Sequence, residues 1–387
     1  MKILLALTYY RPHTSGLTIY AERLALGLAA RGHSVTILTS RYDRALPLRE
    51  ERGGVTVVRV PVAFRVSKGV VMPTFGRTAT RLVREHDVLS LHLPQLDAAG
   101  LSLRGRLFGK PTVVTYHCDL LLPPTPFNRL VNHVVVWADR ATAALADAIV
   151  AYTEDYAAHS RLLSRHPRKL QVIPPPVEAA APSPDGVASF RATWNPNGSP
   201  VIGMAARLAS EKGVEVLLRA LPAVRERFPG VRVLFAGQHE NVLGEAAYRE
   251  RLCPLLAGEG GNWSFLGILD PGQMSLFFSS LDVLVVPSLN STESFGLVQV
   301  EAMLLGTPSI ASDLPGVRQP VRTTGMGEVF PVGDSALLAD ALVRVLGDRE
   351  RYVRPRRDIE ALFRTSLTAE HYEQLFERLL RGRAPVP

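Results

Sequence analysis

Two carboxylates, Glu293 and Glu301, stand eight residues apart in the segment Glu293-Ser-Phe-Gly-Leu-Val-Gln-Val-Glu301. Just before them, Leu281-Asp-Val-Leu-Val-Val-Pro287 is a short, β-branched apolar run with the composition of a buried parallel strand. A strand, a loop and a helix opening at Gly296 would aim backbone N–H groups and a positive dipole end at an anion. Read as one helix rising about 1.5 Å per residue, the segment separates its two acids by about 12 Å along the axis. That span matches a nucleotide-sugar from ribose to sugar ring. One acid would take sugar hydroxyls, the other ribose hydroxyls, and the N–H groups between them a diphosphate. For the pair taken alone, two solvated helix acids are the plain alternative.

A pair of cations offers the complementary chemistry. Arg207-Leu-Ala-Ser-Glu-Lys212-Gly213 directly follows the strand-like run Val201–Ala205. In doubly wound α/β folds the loops at strand C-termini build the ligand site. Arginine supplies a planar fork and lysine a compact charge, a combination suited to a diphosphate. A capped helix with surface charges is the alternative reading of this loop. No Asp-x-Asp occurs in the chain, so no obvious metal site competes for the anion.

The elements that must position these loops recur along both halves. Strand-like runs stand at Lys2–Thr8, Val35–Thr39, Val55–Val60, Val88–Leu93, Thr112–Tyr116, Ala148–Tyr152 and Leu170–Ile173, mostly with helical stretches between them. Tyr20, Ala21, Leu24, Ala25 and Leu28 form one helical stripe after the first strand. Pro174-Pro175-Pro176 ends this series, and an Ala, Pro, Ser and Gly-rich segment to about Pro200 reads as a connector. A second series runs through Val201–Ala205, Val231–Ala236, Trp263–Leu266, Leu281–Val286, Ser309–Ala311 and Glu328–Pro331. The chain closes on an amphipathic helix carrying Leu367, Tyr372, Leu375, Phe376, Leu379 and Leu380. At 387 residues, two cores are the default. The expected organisation is an α/β domain over 1–173, a linker over 174–200, a second α/β domain over 201–364, and a helix over 365–387 packing back on the first domain.

Composition narrows the class further. Two cysteines, Cys118 and Cys253, are too few for a disulfide framework. The apolar run Ile3–Leu7 is too short for a secretion signal, and no apolar stretch reaches the ~20 residues of a membrane span. A cytoplasmic enzyme, peripheral at a membrane if it meets one, is the expectation. Charge is uneven: residues 1–173 hold 23 Lys/Arg against 12 Asp/Glu, and the remainder 21 against 24. The basic half suits an anionic partner, a membrane surface or a phosphorylated acceptor. Nucleic acid is not expected, because the cations are scattered with few aromatics among them. Solvated arginines with no partner are the alternative.

Taken together, the two loops of the second half resemble those of the retaining glycosyltransferases of family 4 (glycosyl transferases group 1), which have the GT-B architecture. The resemblance is carried by Ala206-Arg207-Leu208, Glu211-Lys212-Gly213, Glu293-Ser-Phe-Gly-Leu, Glu301-Ala-Met, Gly306-Thr-Pro308 and Ala311-Ser-Asp313-Leu-Pro-Gly316. It spans about 201–335. The first half is similar more loosely, through the start of the chain and Thr115-Tyr-His117.

The resemblance implies two doubly wound Rossmann-like domains facing across a cleft, and transfer of a sugar from a nucleotide-sugar to a lipid, saccharide or small-molecule acceptor. It implies that Arg207 and Lys212 neutralise the diphosphate without a metal and that N–H groups around Phe295, Gly296 and Leu297 bind its oxygens. Glu301 is then the ribose ligand and Glu293 the sugar ligand beside the anomeric carbon. The loop of Ile268 meets the base, Gly16 approaches the phosphate, and His117 contacts the sugar near its reacting end. No cofactor is implied. His13 and Asp119, in loops beside the expected cleft, are candidates for the acceptor side, or else satisfied structural polar residues.

Three features depart from the family pattern. Ser15 stands where a first glycine is common, Pro174-Pro-Pro-Val-Glu178 replaces Pro-Asn-Gly-Val-Asp, and Gln238 follows Gly237 where a second glycine is common. Two other functions stay open: a nucleotide-sugar 2-epimerase of the same architecture, and a non-enzymatic nucleotide-sugar-binding protein.

Overall fold

The structure is a computed structural model, and it describes residues 1–66, 69–119 and 126–382. The chain forms two compact units, Met1–Pro176 together with the segment from Arg364, and Val177–Phe363.

The first unit is built on strands β1 (Lys2–Ala6), β2 (Ser34–Arg41), β3 (Arg49–Arg52), β4 (Val55–Pro61), the hairpin β5 (Phe64–Val66) and β6 (Gly69–Val71), then β7 (Val88–Leu93), β8 (Thr112–Tyr116), β9 (Ala148–Ala151) and β10 (Leu170–Val172). Its main sheet runs β10-β9-β8-β7-β1-β2-β4-β3, parallel throughout except for the β3–β4 pair. Ile3, Leu4 and Leu5 are fully buried, as a central strand covered on both faces requires. Ser15 caps the helix Gly16–Ala30 by accepting from the Thr18 N–H, and that helix buries Tyr20, Ala21, Leu24, Ala25 and Leu28. The terminal helix Thr365–Arg381 belongs to this unit. Its Tyr372 hydroxyl lies 2.8 Å from that of Tyr20 and 2.7 Å from Thr115 Oγ1, all three buried. Strand order reverses between β1 and β7, so a crevice is expected beyond their C-terminal ends.

The second unit carries β11 (Val201–Ala205), β12 (Arg232–Ala236), β13 (Trp263–Gly267), β14 (Val283–Val286), β15 (Ser309–Ser312) and β16 (Gly327–Phe330). They form an all-parallel sheet in the order β13-β12-β11-β14-β15-β16. Leu217 and Leu221 of the helix Val214–Arg227 share one buried cluster with Leu338 and Leu342 of the helix Ser335–Gly347. The reversal here falls between β11 and β14, and the loops leaving those strands hold Arg207, Lys212 and Glu293. Both units are therefore Rossmann-like.

Two local features differ from the sequence expectation. The segment expected to be a connector, 174–200, is only partly one. Ser183 caps a helix over Pro184–Trp194, with Pro184 at its first position, and this helix lies in the second unit. Local start signals prevail there over an Ala/Pro/Ser/Gly composition. The charged Arg49-Glu-Glu-Arg52 forms an edge strand that has no apolar alternation to reveal it.

Candidate functional site

The loop after β11 is braced against the loop after β14. The Leu289 N–H donates to the Glu211 carbonyl at 2.9 Å, and on the other side the Leu208 N–H donates to the Gln238 carbonyl, in the loop after β12, at 2.8 Å. Gly213 allows the approach: its φ is +67°, and an added Cβ would sit 2.1 Å from the Pro287 carbonyl oxygen. These backbone contacts bring the candidate charges together. Lys212 Nζ pairs with Glu293 Oε2 at 2.5 Å, each side chain about one-fifth exposed. Arg207, nearly half exposed, donates to Glu211 Oε1 at 3.1 Å. Each cation thus rests against a carboxylate.

Glu293 and Glu301 do not share a helix. The helix spans Leu297–Leu304, capped by Gly296 at φ +79°, and Glu293 lies in the loop before it. An axial separation counted from helical rise therefore does not apply to the pair. An Asx turn shapes that loop: Asn290 Oδ1 accepts from the Thr292 N–H at 3.1 Å and from its hydroxyl at 2.6 Å. Gly296 provides no side-chain cap, and the Gln299 N–H turns back to the Gly296 carbonyl at 2.9 Å.

Phe295 buries its ring against Phe363, with centroids 5.8 Å apart. Glu301 is half-buried on the helix. Ile268 is 70% exposed just beyond β13, and nearby His239 stacks on Phe265 with centroids 4.5 Å apart.

Gln299 holds this corner. Its side chain is fully buried, its Nε2 donates to the carbonyls of Phe295 and Val317 at 2.9 Å each, and its Oε1 accepts from Ser309 Oγ at 3.2 Å. The amide ties the helix start to β15 and to the loop near Gly316. Sequence reasoning passed over it, although a lone amide inside Leu-Val-Gln-Val is the available signal.

In the first unit, Gly16 opens its helix and is exposed. Exposed His13 stacks on Tyr9, with centroids 5.0 Å apart, and Tyr42 meets both rings edge-on. Asp119 Oδ1 accepts from the hydroxyls of Tyr116 at 2.8 Å and Ser160 at 3.1 Å. Burial, and then Asp119, push the nearby Asp139 carboxyl up to about 7.

His117 is 5% exposed, with both ring nitrogens engaged: Nε2 lies 2.9 Å from His92 Nδ1, and Nδ1 bonds the Tyr152 hydroxyl. Burial, followed by His92, drives its pKa well down, so the ring is neutral. His92 and Tyr152 were not anticipated, although a histidine inside the apolar run of β7 was visible. Among the described residues no group of three or more His, Cys, Asp or Glu could hold a metal ion, and no helix is long and apolar enough to cross a membrane.

Two Rossmann-like units, one carrying paired cations and carboxylates at its switch point, define the GT-B class of sugar-transferring enzymes. The comparisons place the chain within that class. Residues 188–360 match the family described as glycosyl transferases group 1, and residues 15–176 match the glycosyl transferase 4-like domain. The chain is a GT-B-fold glycosyltransferase related to the group 1, family-4 enzymes.

Among its relatives is the phosphatidyl-myo-inositol mannosyltransferase of Mycobacterium leprae, 28% identical over 96% of this chain and 95% of that protein. The D-inositol 3-phosphate glycosyltransferase of Nocardia farcinica is 29% identical over 87% and 78%. Among solved structures, sucrose-phosphate synthase from Thermosynechococcus elongatus superposes with a TM-score of 0.79 at 21% identity, covering 98% of this chain and 99% of that one. Anabaena HepE in complex with UDP-glucose gives 0.77 at 18% identity, covering 98% and 100%.

Proposed function

We propose that the protein is a retaining, metal-independent transferase that moves a sugar from a nucleotide-sugar donor to a hydroxyl acceptor. The observation that carries this reading is the pairing of Lys212 with Glu293, and of Arg207 with Glu211 in the same loop as Lys212, beside an uncapped helix start at the β11/β14 switch point. Departure of a nucleoside diphosphate builds negative charge. Fixed cations and N–H groups stabilise that charge without reorganising at the moment of reaction.

In this account a diphosphate displaces Glu211 from Arg207 and Glu293 from Lys212. Glu293, released, takes hydroxyls of the donor sugar, while Glu301 takes those of the ribose. The N–H groups at Phe295–Leu297 and at Gly16 bind phosphate oxygens, and the loop of Ile268 meets the base. Glu293 serves as binder and stabiliser rather than nucleophile, in a front-face substitution where the leaving phosphate helps to deprotonate the acceptor. His117 contacts the sugar by exchanging one of its internal hydrogen bonds. His13 faces the acceptor. Asp119, its Oδ1 already taken, is retained as a shaping residue.

Incubation with a panel of nucleotide-sugars, with and without acceptors, tests the function. Transfer is the expected result. An epimerised donor, or binding without turnover, would replace this reading with an epimerase or a non-enzymatic binder. Thermal shift finds the donor first, since a ligand at ~100 times its Kd adds ~2.7 kcal/mol. Because a phosphatidyl-myo-inositol mannosyltransferase and a D-inositol 3-phosphate glycosyltransferase are among the relatives, inositol-type acceptors are the first to try.

The excess of cations over residues 1–173 supports a second proposal, peripheral docking on an anionic membrane from the cytoplasmic side. Phe64 is exposed on its hairpin beside Arg65, and Arg77, Arg81, Arg84 and Arg104 line one surface groove; Lys68 lies outside the described residues. Each basic group near such a surface contributes ~1 kcal/mol, screened within a Debye length. Co-sedimentation with anionic vesicles should be strong at low salt and fade as salt rises. Equal sedimentation with neutral vesicles would defeat the proposal.

A further inference from the structure

Behind His117 lies a second buried imidazole that the proposed chemistry does not use. His92 sits in β7, whose register pairs Leu93 with Tyr116, and the backbone N–H of His117 donates to the Leu93 carbonyl at 3.1 Å. The sheet itself therefore sets the two rings side by side, their centroids 5.1 Å apart, with His92 Nδ1 2.9 Å from His117 Nε2. Tyr20 meets both rings edge-on and stacks on Tyr152, whose hydroxyl bonds His117 Nδ1. The remaining nitrogen, His92 Nε2, is buried and has no hydrogen-bond partner among the described residues.

We infer that His92 is a positioning residue that fixes His117 in the tautomer protonated on Nδ1, so that His117 offers an N–H to an oxygen of the donor sugar. A neutral imidazole carries one proton, and a buried N–H without an acceptor is rarer than a buried lone pair without a donor. His92 Nε2 is therefore the bare nitrogen, and Nδ1 carries the His92 proton. That N–H donates to His117 Nε2, which must be unprotonated to accept it. The His117 proton then resides on Nδ1 and points at the Tyr152 oxygen. Burial, which brings the His92 pKa down to about 3, keeps the pair neutral at physiological pH. With Nε2 committed to His92, Nδ1–H is the bond that His117 can re-aim from Tyr152 to substrate. The substrate half of this inference rests on the proposed role of His117; the tautomer half does not.

Two-bond 1H–15N correlation spectra of the full chain labelled with [15N]histidine decide the tautomers. Both rings should show the Nδ1–H pattern, with signals identified from the variants below. His92→Asn keeps a donor near the Nδ1 position, and should preserve both the His117 pattern and most of the turnover. His92→Leu should mix the His117 tautomers and lower kcat/KM by about 10- to 100-fold, the usual scale for a group that orients a functional histidine.

An Nε2–H pattern at either ring of the wild-type chain overturns the inference. Unchanged His117 signals and rates in a folded His92→Leu variant overturn it equally. His117→Ala separates the two halves: full turnover there defeats the donor contact, while the wild-type spectra still decide the tautomer.

Discussion

The double variant Arg207→Ala/Lys212→Ala should fold normally and lose at least 10²–10³-fold in turnover, about what removal of one fixed donor to a developing anion costs. The separation of stability from activity follows from exposure. Arg207 is nearly half exposed and its partner Glu211 partly so, while Lys212 and Glu293 each retain about one-fifth of their side-chain surface. Pairs in contact with water contribute about 0–1 kcal/mol, and Glu293 left alone can still be hydrated. The same two charges face the leaving diphosphate in the proposed mechanism, where no water compensates for their loss. Steady-state rates beside thermal melts check this. A double variant with near-normal turnover and unchanged melting would remove both residues from the diphosphate site.

A second large effect is expected from one methyl group. Gly213→Ala forces a side chain into the left-handed region, a cost of about 1–2 kcal/mol, and drives its Cβ towards the Pro287 oxygen 2.1 Å away. Either the loop after β11 withdraws or that after β14 does, and Lys212 leaves Glu293 in both cases. Gly198→Ala is the control, because Gly198 has a similar φ of +65° and no atom within 4 Å of the added Cβ. The control should lose only the conformational part. Gly213→Ala should melt several degrees lower than that and lose most of its turnover. Equal melting of the two variants would show that the close approach at Pro287 is not needed.

Much of the fold was legible because a buried parallel strand announces itself. The runs at Val88–Leu93, Thr112–Tyr116 and Leu281–Val286 are apolar and β-branched, and all three hold strands of the main sheets. The stripe Tyr20, Leu24, Leu28 was equally plain and is buried as a helix face. Elements stabilised by pairing or capping rather than by an apolar pattern were not legible: the charged edge strand β3, the hairpin β5–β6 and the capped helix Pro184–Trp194.

The candidate site divides in the same way. Charge types and spacing pointed to Arg207, Lys212 and Glu293; the backbone brings Lys212 to Glu293, while Arg207 rests on Glu211 in the same loop as Lys212. The helix opens at Gly296 as expected, but Glu293 lies in the loop before it, so the two acids do not share one helix. Gln299, His92 and Tyr152 act through partners distant in sequence, and such partners are invisible until the sheet places them.

The most direct measurement is a proton NMR time course of the enzyme with its best nucleotide-sugar and an acceptor, run in excess EDTA. The account predicts equimolar nucleoside diphosphate and glycoside, with early product keeping the donor's anomeric configuration. An inverted product would contradict the retaining assignment. Turnover abolished by EDTA and restored by Mg²⁺ or Mn²⁺ would contradict the central claim that Arg207, Lys212 and the helix-start N–H groups replace a metal.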